Sequence, residues 1–203
     1  MRRCLPLWLA CLALGFSMSA SSFAHQAPTE KSAAAAPASG PRAEFLTELK
    51  VEEDKFIRLA EATPADKYNW RPAPGVRSIG EVYLHVAAAN YGIPRLIGTN
   101  PPASFNPKDF DKSMTDKAKI IETLKDSFTH VRQAVIDMPD SNLDKQLDWF
   151  GGKNTQRGIL LFMMRHMAEH LGQQIAYARM NGIVPPWTED AQKASKSAPA
   201  AKD

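Results

Sequence analysis

Cysteine is nearly absent: the 203-residue chain has two, Cys4 and Cys11, both in a leading apolar stretch. Removal of that stretch leaves no thiol and no disulfide, which excludes thiolate catalysis and cysteine ligation of a metal. Any metal is then left to His, Asp or Glu. Excess charge is also lacking. Lys and Arg number 25 against 22 Asp and Glu, a net +3 that falls to +1 once Arg2 and Arg3 are lost. A near-neutral domain offers no electrostatic footprint for nucleic acid, and Arg and Lys are not interleaved with aromatics as a strand-binding groove requires. There is no glycine-rich phosphate loop, no internal repeat and no alternating apolar pattern that would mark strands.

What is present divides into four parts. Met1-Arg2-Arg3 is a short basic start, Cys4 to Phe16 is apolar, and Ser22-Phe23-Ala24 supplies small residues at a cleavage site. Residues 1–24 are therefore read as a secretory signal peptide, which places the mature protein in the periplasm or outside the cell. The apolar run is shorter than the roughly 20 residues a spanning helix needs, so no stable membrane insertion is expected after cleavage. Trp8-Leu9-Ala10-Cys11 resembles a lipobox only weakly and comes too early. Residues 25–42, rich in Ala, Pro and Ser, read as a disordered linker, and residues 188–203 as a tail of the same character. The globular domain is residues 43–187.

Four amphipathic stretches fill that domain. The first spans about Pro41 to Ala62, with Phe45, Leu46, Leu49, Phe56, Ile57 and Ala60 as its apolar stripe. The second starts at Ser78, where Ser78-Ile79-Gly80-Glu81 has the capping-box pattern, and Pro94 stops it. The third covers about Thr115 to Met138, with Ala118, Ile121, Leu124, Phe128, Val131, Val135 and Met138 inward. The fourth covers about Gln156 to Asn181, before Gly182. An all-α four-helix bundle is the economical solution. Its connections of a dozen residues or more exceed the usual two to eight, so a crossover between parallel helices is expected.

Histidine carries the chemistry. His166 and His170 are one helical turn apart and share a face, while His85 lies on the second helix. If the bundle brings the two helices together, three imidazoles converge and can hold a divalent metal with a position left open. The competing reading is a structural helical protein whose three semi-buried histidines only pack, with an apolar helix face open to homodimer formation. His166-Met167-Ala168-Glu169-His170 also matches the His-x-x-Glu-His pattern in which Glu serves as a peptidase base, although a solvated or ion-paired Glu169 is the better reading. Glu81 is placed to orient His85, or only to cap. His130 lies off its stripe and is expected to be solvated. His25, first after cleavage, sits in the linker and carries nothing.

Two blocks resemble a known family. One runs Tyr68-Asn69-Trp70-Arg71-Pro72-Ala73-Pro74-Gly75-Val76-Arg77-Ser78-Ile79-Gly80-Glu81 and on to His85. The other runs from Met164 through His166 and His170 to Tyr177, then Arg179, Gly182 and Pro185-Pro186. Together they resemble the DinB-like metalloproteins over about Ala43 to Trp187. The resemblance implies a four-helix bundle whose second and third helices are parallel, and a divalent metal, commonly zinc or nickel, on His85, His166 and His170. Some members look like thiol-dependent transferases or isomerases. The signal peptide departs from that pattern, because an oxidising compartment holds little reduced thiol. The expectation is a periplasmic metal-dependent hydrolase or group transferase for an unidentified small molecule, with no protein base assigned. The alternative is a non-catalytic module that binds metal or a small ligand.

Overall fold

The computed structural model describes residues 35–197. The expected signal peptide, His25 and most of the expected linker lie outside the described residues. Helix α1 is Pro41–Ala62, with Pro41 in its first turn, where a missing N–H costs nothing. The last two residues assigned to the linker are thus helical. Arg42 is buried and donates to the carbonyls of Val135 and Ile136, with Asp140 beside it.

Helix α2 is Ile79–Gly92. The capping box is complete: Glu81 N–H donates to Ser78 Oγ and Ser78 N–H to Glu81 Oε2. Helices α3, Lys117–Asp137, and α4, Gln156–Met180, complete the bundle. Asp116 and Thr155 cap them through side-chain oxygens.

Side-chain pairings give the helix directions. Arg42 meets Val135 while Glu61 meets Lys125, so α1 and α3 are antiparallel. A methyl on Gly80 would lie 3.2 Å from Ile120, whereas Asn90 bonds Ser127, so α2 and α3 run parallel. Gln174 bonds the Ile79 carbonyl while Gln156 bonds that of Leu96, so α2 and α4 are antiparallel. This is the up-down-down-up bundle that the resemblance implies, and residues 93–116 make the crossover. Between the helices lies a core led by Leu49, Phe56, Tyr68, Tyr83, Leu124 and Phe128, all essentially inaccessible.

Four features differ from expectation. The third helix is rotated in its first turns: Ala118 is exposed and Ile121 half-buried, while Ile120 is buried. Ile120 fills the space left by the absent side chain of Gly80, which draws that face inward. A two-stranded antiparallel hairpin, β1 (Gln146–Trp149) and β2 (Gly152–Thr155), precedes α4. Its turn residues Phe150 and Gly151 both have positive φ, 43° and 79°, the geometry that matches strand twist but is usually filled by Asn-Gly. The expected tail is helical to Ser197, as α5 (Pro186–Ser197). Pro186 starts it, Glu189 and Lys193 pair one turn apart, and Arg58 of α1 pairs with Asp190. Finally, His130 is half-buried against Tyr91, with ring centroids 5.5 Å apart and its Nε2 without a hydrogen-bond partner among the described residues. Burial lowers its pKa.

Candidate metal centre

The antiparallel contact of α2 with α4 puts His85 opposite His166 and His170. The ring centroids are 5.2 Å apart for His85–His166, 4.7 Å for His85–His170 and 4.5 Å for His166–His170. One ligand atom from each lies within 4.8 Å of the others, and all three residues are half-buried. The Nε2 atoms of His85 and His166 are 3.3 Å apart. Two nitrogens bound tetrahedrally to one ion at about 2.0–2.1 Å would be separated by about 3.3–3.4 Å. That pair therefore already has the required span. The other pairs, all within 4.8 Å, need to close by at most about 1.5 Å to match it.

The electrostatics suit a neutral donor set. Burial first, then the charges of Arg77 and His170, push His85 down to about 4, with Asp111 opposing. Burial first, then His170, His85, Arg77 and Arg165, push His166 down to about 4. At neutral pH both rings keep lone pairs to offer a cation. His170 is held by Gln173, whose Oε1 accepts from its Nδ1 at 2.9 Å and leaves Nε2 to face the cluster. Gln173 in turn donates to Tyr177 Oη at 2.9 Å, and Tyr177 packs edge-on against Trp70 with centroids 5.4 Å apart. Thus the Trp-Arg-Pro loop and the two-histidine helix are joined physically. Trp70 buttresses the chain that orients His170, and Arg71 bonds Val76 O and Glu81, fixing the start of α2.

The acidic candidates are engaged elsewhere. Glu169 is exposed and its oxygen lies 3.5 Å from Arg165, as the ion-paired reading of it expects. Glu81 serves the capping box and Arg71. Burial pushes its carboxyl up, but the Ser78 N–H and Arg71 outweigh burial and hold it below the usual range. Sequence reasoning missed Gln173, Tyr177 and the Arg77–Asp111 pair, whose Nε–Oδ2 distance is 2.9 Å. Gln173 and Tyr177 stand three and seven residues after His170, on the same helix face, and that spacing was the available signal.

Comparisons with known proteins agree with this fold. The profile of the DinB superfamily matches residues 48–174. YjoA of Bacillus subtilis (strain 168), an uncharacterized protein, is 27% identical over 142 residues, covering 68% of this chain and 86% of YjoA. A crystal structure of a DinB-like protein from Bacillus cereus ATCC 10987 superposes with a TM-score of 0.62 at 21% identity, over 70% of this chain and 93% of the other. The crystal structure of YjoA gives 0.56 at 23% identity, over the same shares of 70% and 93%. These structural likenesses establish the fold.

Proposed function

The chain belongs to the DinB superfamily, and from that premise we propose that it is a periplasmic divalent-metal protein. His85, His166 and His170 would hold zinc or nickel and serve hydrolysis of, or group transfer to, a small molecule. The observation that carries the metal is the 3.3 Å separation of the His85 and His166 Nε2 atoms, with His170 turned toward them by Gln173. When bound, a divalent cation at this place supplies Lewis acidity to a substrate oxygen.

The chain's own contribution is placement. The antiparallel α2–α4 contact sets the distance between the imidazoles, Gln173 fixes the His170 ring, and half-burial of all three leaves a small molecule access from solvent. The periplasmic location rests on the basic start, the apolar run and Ser22-Phe23-Ala24. Export of the full chain should give a mature form whose first residue is His25, read by terminal sequencing; an unprocessed Met1 refutes it.

A second reading, a binding module without turnover, is favoured by one observation. Glu81 is held by Arg71 and its capping box, Glu169 is exposed to solvent, and neither carboxylate joins the three-histidine group. Metal analysis of protein purified without a polyhistidine tag should find a divalent ion. An ester, amide and phosphoester panel with and without that ion then separates the readings. Metal-dependent turnover supports the enzyme; ligand capture without turnover supports the module.

A further inference from the structure

A pocket lies between the hairpin and α4, and Arg165, the residue before His166, is on its wall. Its walls are Trp149, Asn154, Gly158, Leu161, Phe162 and Arg165, and its volume is about 260 Å3. The hairpin forms one side and the first half of α4 the other. Phe162 is one turn before His166, with ring centroids 6.1 Å apart, and Trp149 stands edge-on to Phe162 at 4.7 Å. A row of aromatic rings thus runs from the hairpin to a metal-ligand candidate. Phe150 extends the row into solvent, 4.4 Å from Trp149 and 86% exposed.

The polar lining has one sign. Arg165 is a cation at the wall, with its guanidinium 5.3 Å from the Phe162 ring centroid. Its pair with Glu169 is long, 3.5 Å, between side chains 66% and 62% exposed, so little holds it from another partner. Asn154 Oδ1 is taken by the Thr155 N–H at 2.8 Å, which leaves the amide NH2 as a second donor. Gly158 permits this arrangement, because a Cβ there would stand 1.8 Å from Asn154 Oδ1. No acidic residue is among the six that line the pocket.

We infer that this pocket is a subsite for an aromatic or otherwise planar carboxylate, its ring lying on the wall that Trp149 and Phe162 form together and its charge on Arg165 and Asn154. The inference rests on the proposed use of the neighbouring histidines, for which it names the substrate class. A guanidinium pairs with a carboxylate through two parallel donors, which gives orientation as well as affinity. A ligand so placed has its ring beside Phe162, whose own ring centroid is 6.1 Å from that of His166.

The test is calorimetric binding of benzoate, benzamide and acetate to the full mature chain, with zinc and without it. Benzoate should bind more tightly than benzamide, and acetate least, because ring and charge each have a partner. Arg165→Gln, an exposed position, should weaken benzoate about tenfold and leave benzamide unchanged. Trp149→Ala should weaken both, and bound benzoate should shift the His166 ring signals in NMR spectra. Acetate binding as well as benzoate, or Arg165→Gln binding benzoate like the parent, overturns the inference. Binding to the zinc-free chain reads the pocket alone, whereas zinc titration reads the histidines, so failure of one is distinguishable from failure of the other.

Discussion

Gln173 accepts the Nδ1 proton of His170 at 2.9 Å while donating its own amide to Tyr177. This single side chain therefore sets both the tautomer and the tilt of one imidazole in the cluster. Partners of this kind are commonly worth a factor of 10 to 100 in metal affinity. Gln173→Leu, close in volume but unable to bond, should weaken zinc binding by about that factor with the helical circular dichroism retained. A competition titration against a coloured chelator measures it. Parent-like affinity would mean that the Gln173 contact does not orient His170.

Acid should destabilise the metal-free protein, and the sign follows from the histidines. His85 and His166 are both lowered to about 4 in the folded chain, against about 6.5 when unfolded. Between those values the unfolded chain binds more protons than the folded one. Stability is therefore intact above about pH 6.5 and falls as pH drops toward 4. Urea denaturation across that range reads the slope, and replacing His85 by Gln should flatten it.

Glu169 sits between two histidines in sequence yet faces solvent beside Arg165. Glu169→Gln should leave zinc affinity within about twofold and stability within about 0.5 kcal/mol of the parent. Turnover of any substrate found should also be unchanged. A loss of turnover of a hundredfold or more would restore Glu169 as the proton acceptor.

Ser78 starts the helix that carries His85. Its hydroxyl accepts from Glu81 N–H at 3.3 Å, while its own N–H donates to the Glu81 carboxylate at 2.8 Å. Ser78→Ala removes one half of this exchange and should cost about 1 kcal/mol in chemical denaturation. An unchanged midpoint would show that the Gln174–Ile79 bond and packing alone hold that end of α2.

Much of this molecule was legible because its signals are local. The bounds of α1 follow from Pro41 and Thr63-Pro64, the start of α2 from Ser78 and Glu81, and the shared face of His166 and His170 from their spacing. What escaped was decided by tertiary contact. Ile120 displaced Ala118 and Ile121 from the core because Gly80 leaves room on the facing helix. The hairpin has four-residue strands and a Phe-Gly turn, too short and too unusual to show as a pattern. His130 is covered by Tyr91, which lies on a different helix. Helix α5 packs Trp187 against the core and pairs Asp190 with Arg58, more than a hundred residues earlier. The meeting of His85 with the other two histidines was open from spacing alone, and the antiparallel packing of α2 on α4 decides it.

Zinc titration by calorimetry, on the parent and on His170→Ala without a polyhistidine tag, tests the centre most directly. The parent should bind one zinc ion per chain. The variant should lose that stoichiometric binding and keep its helical content, because residue 170 is half-buried at the edge of the core. Equal zinc binding by the two proteins would contradict the three-histidine centre.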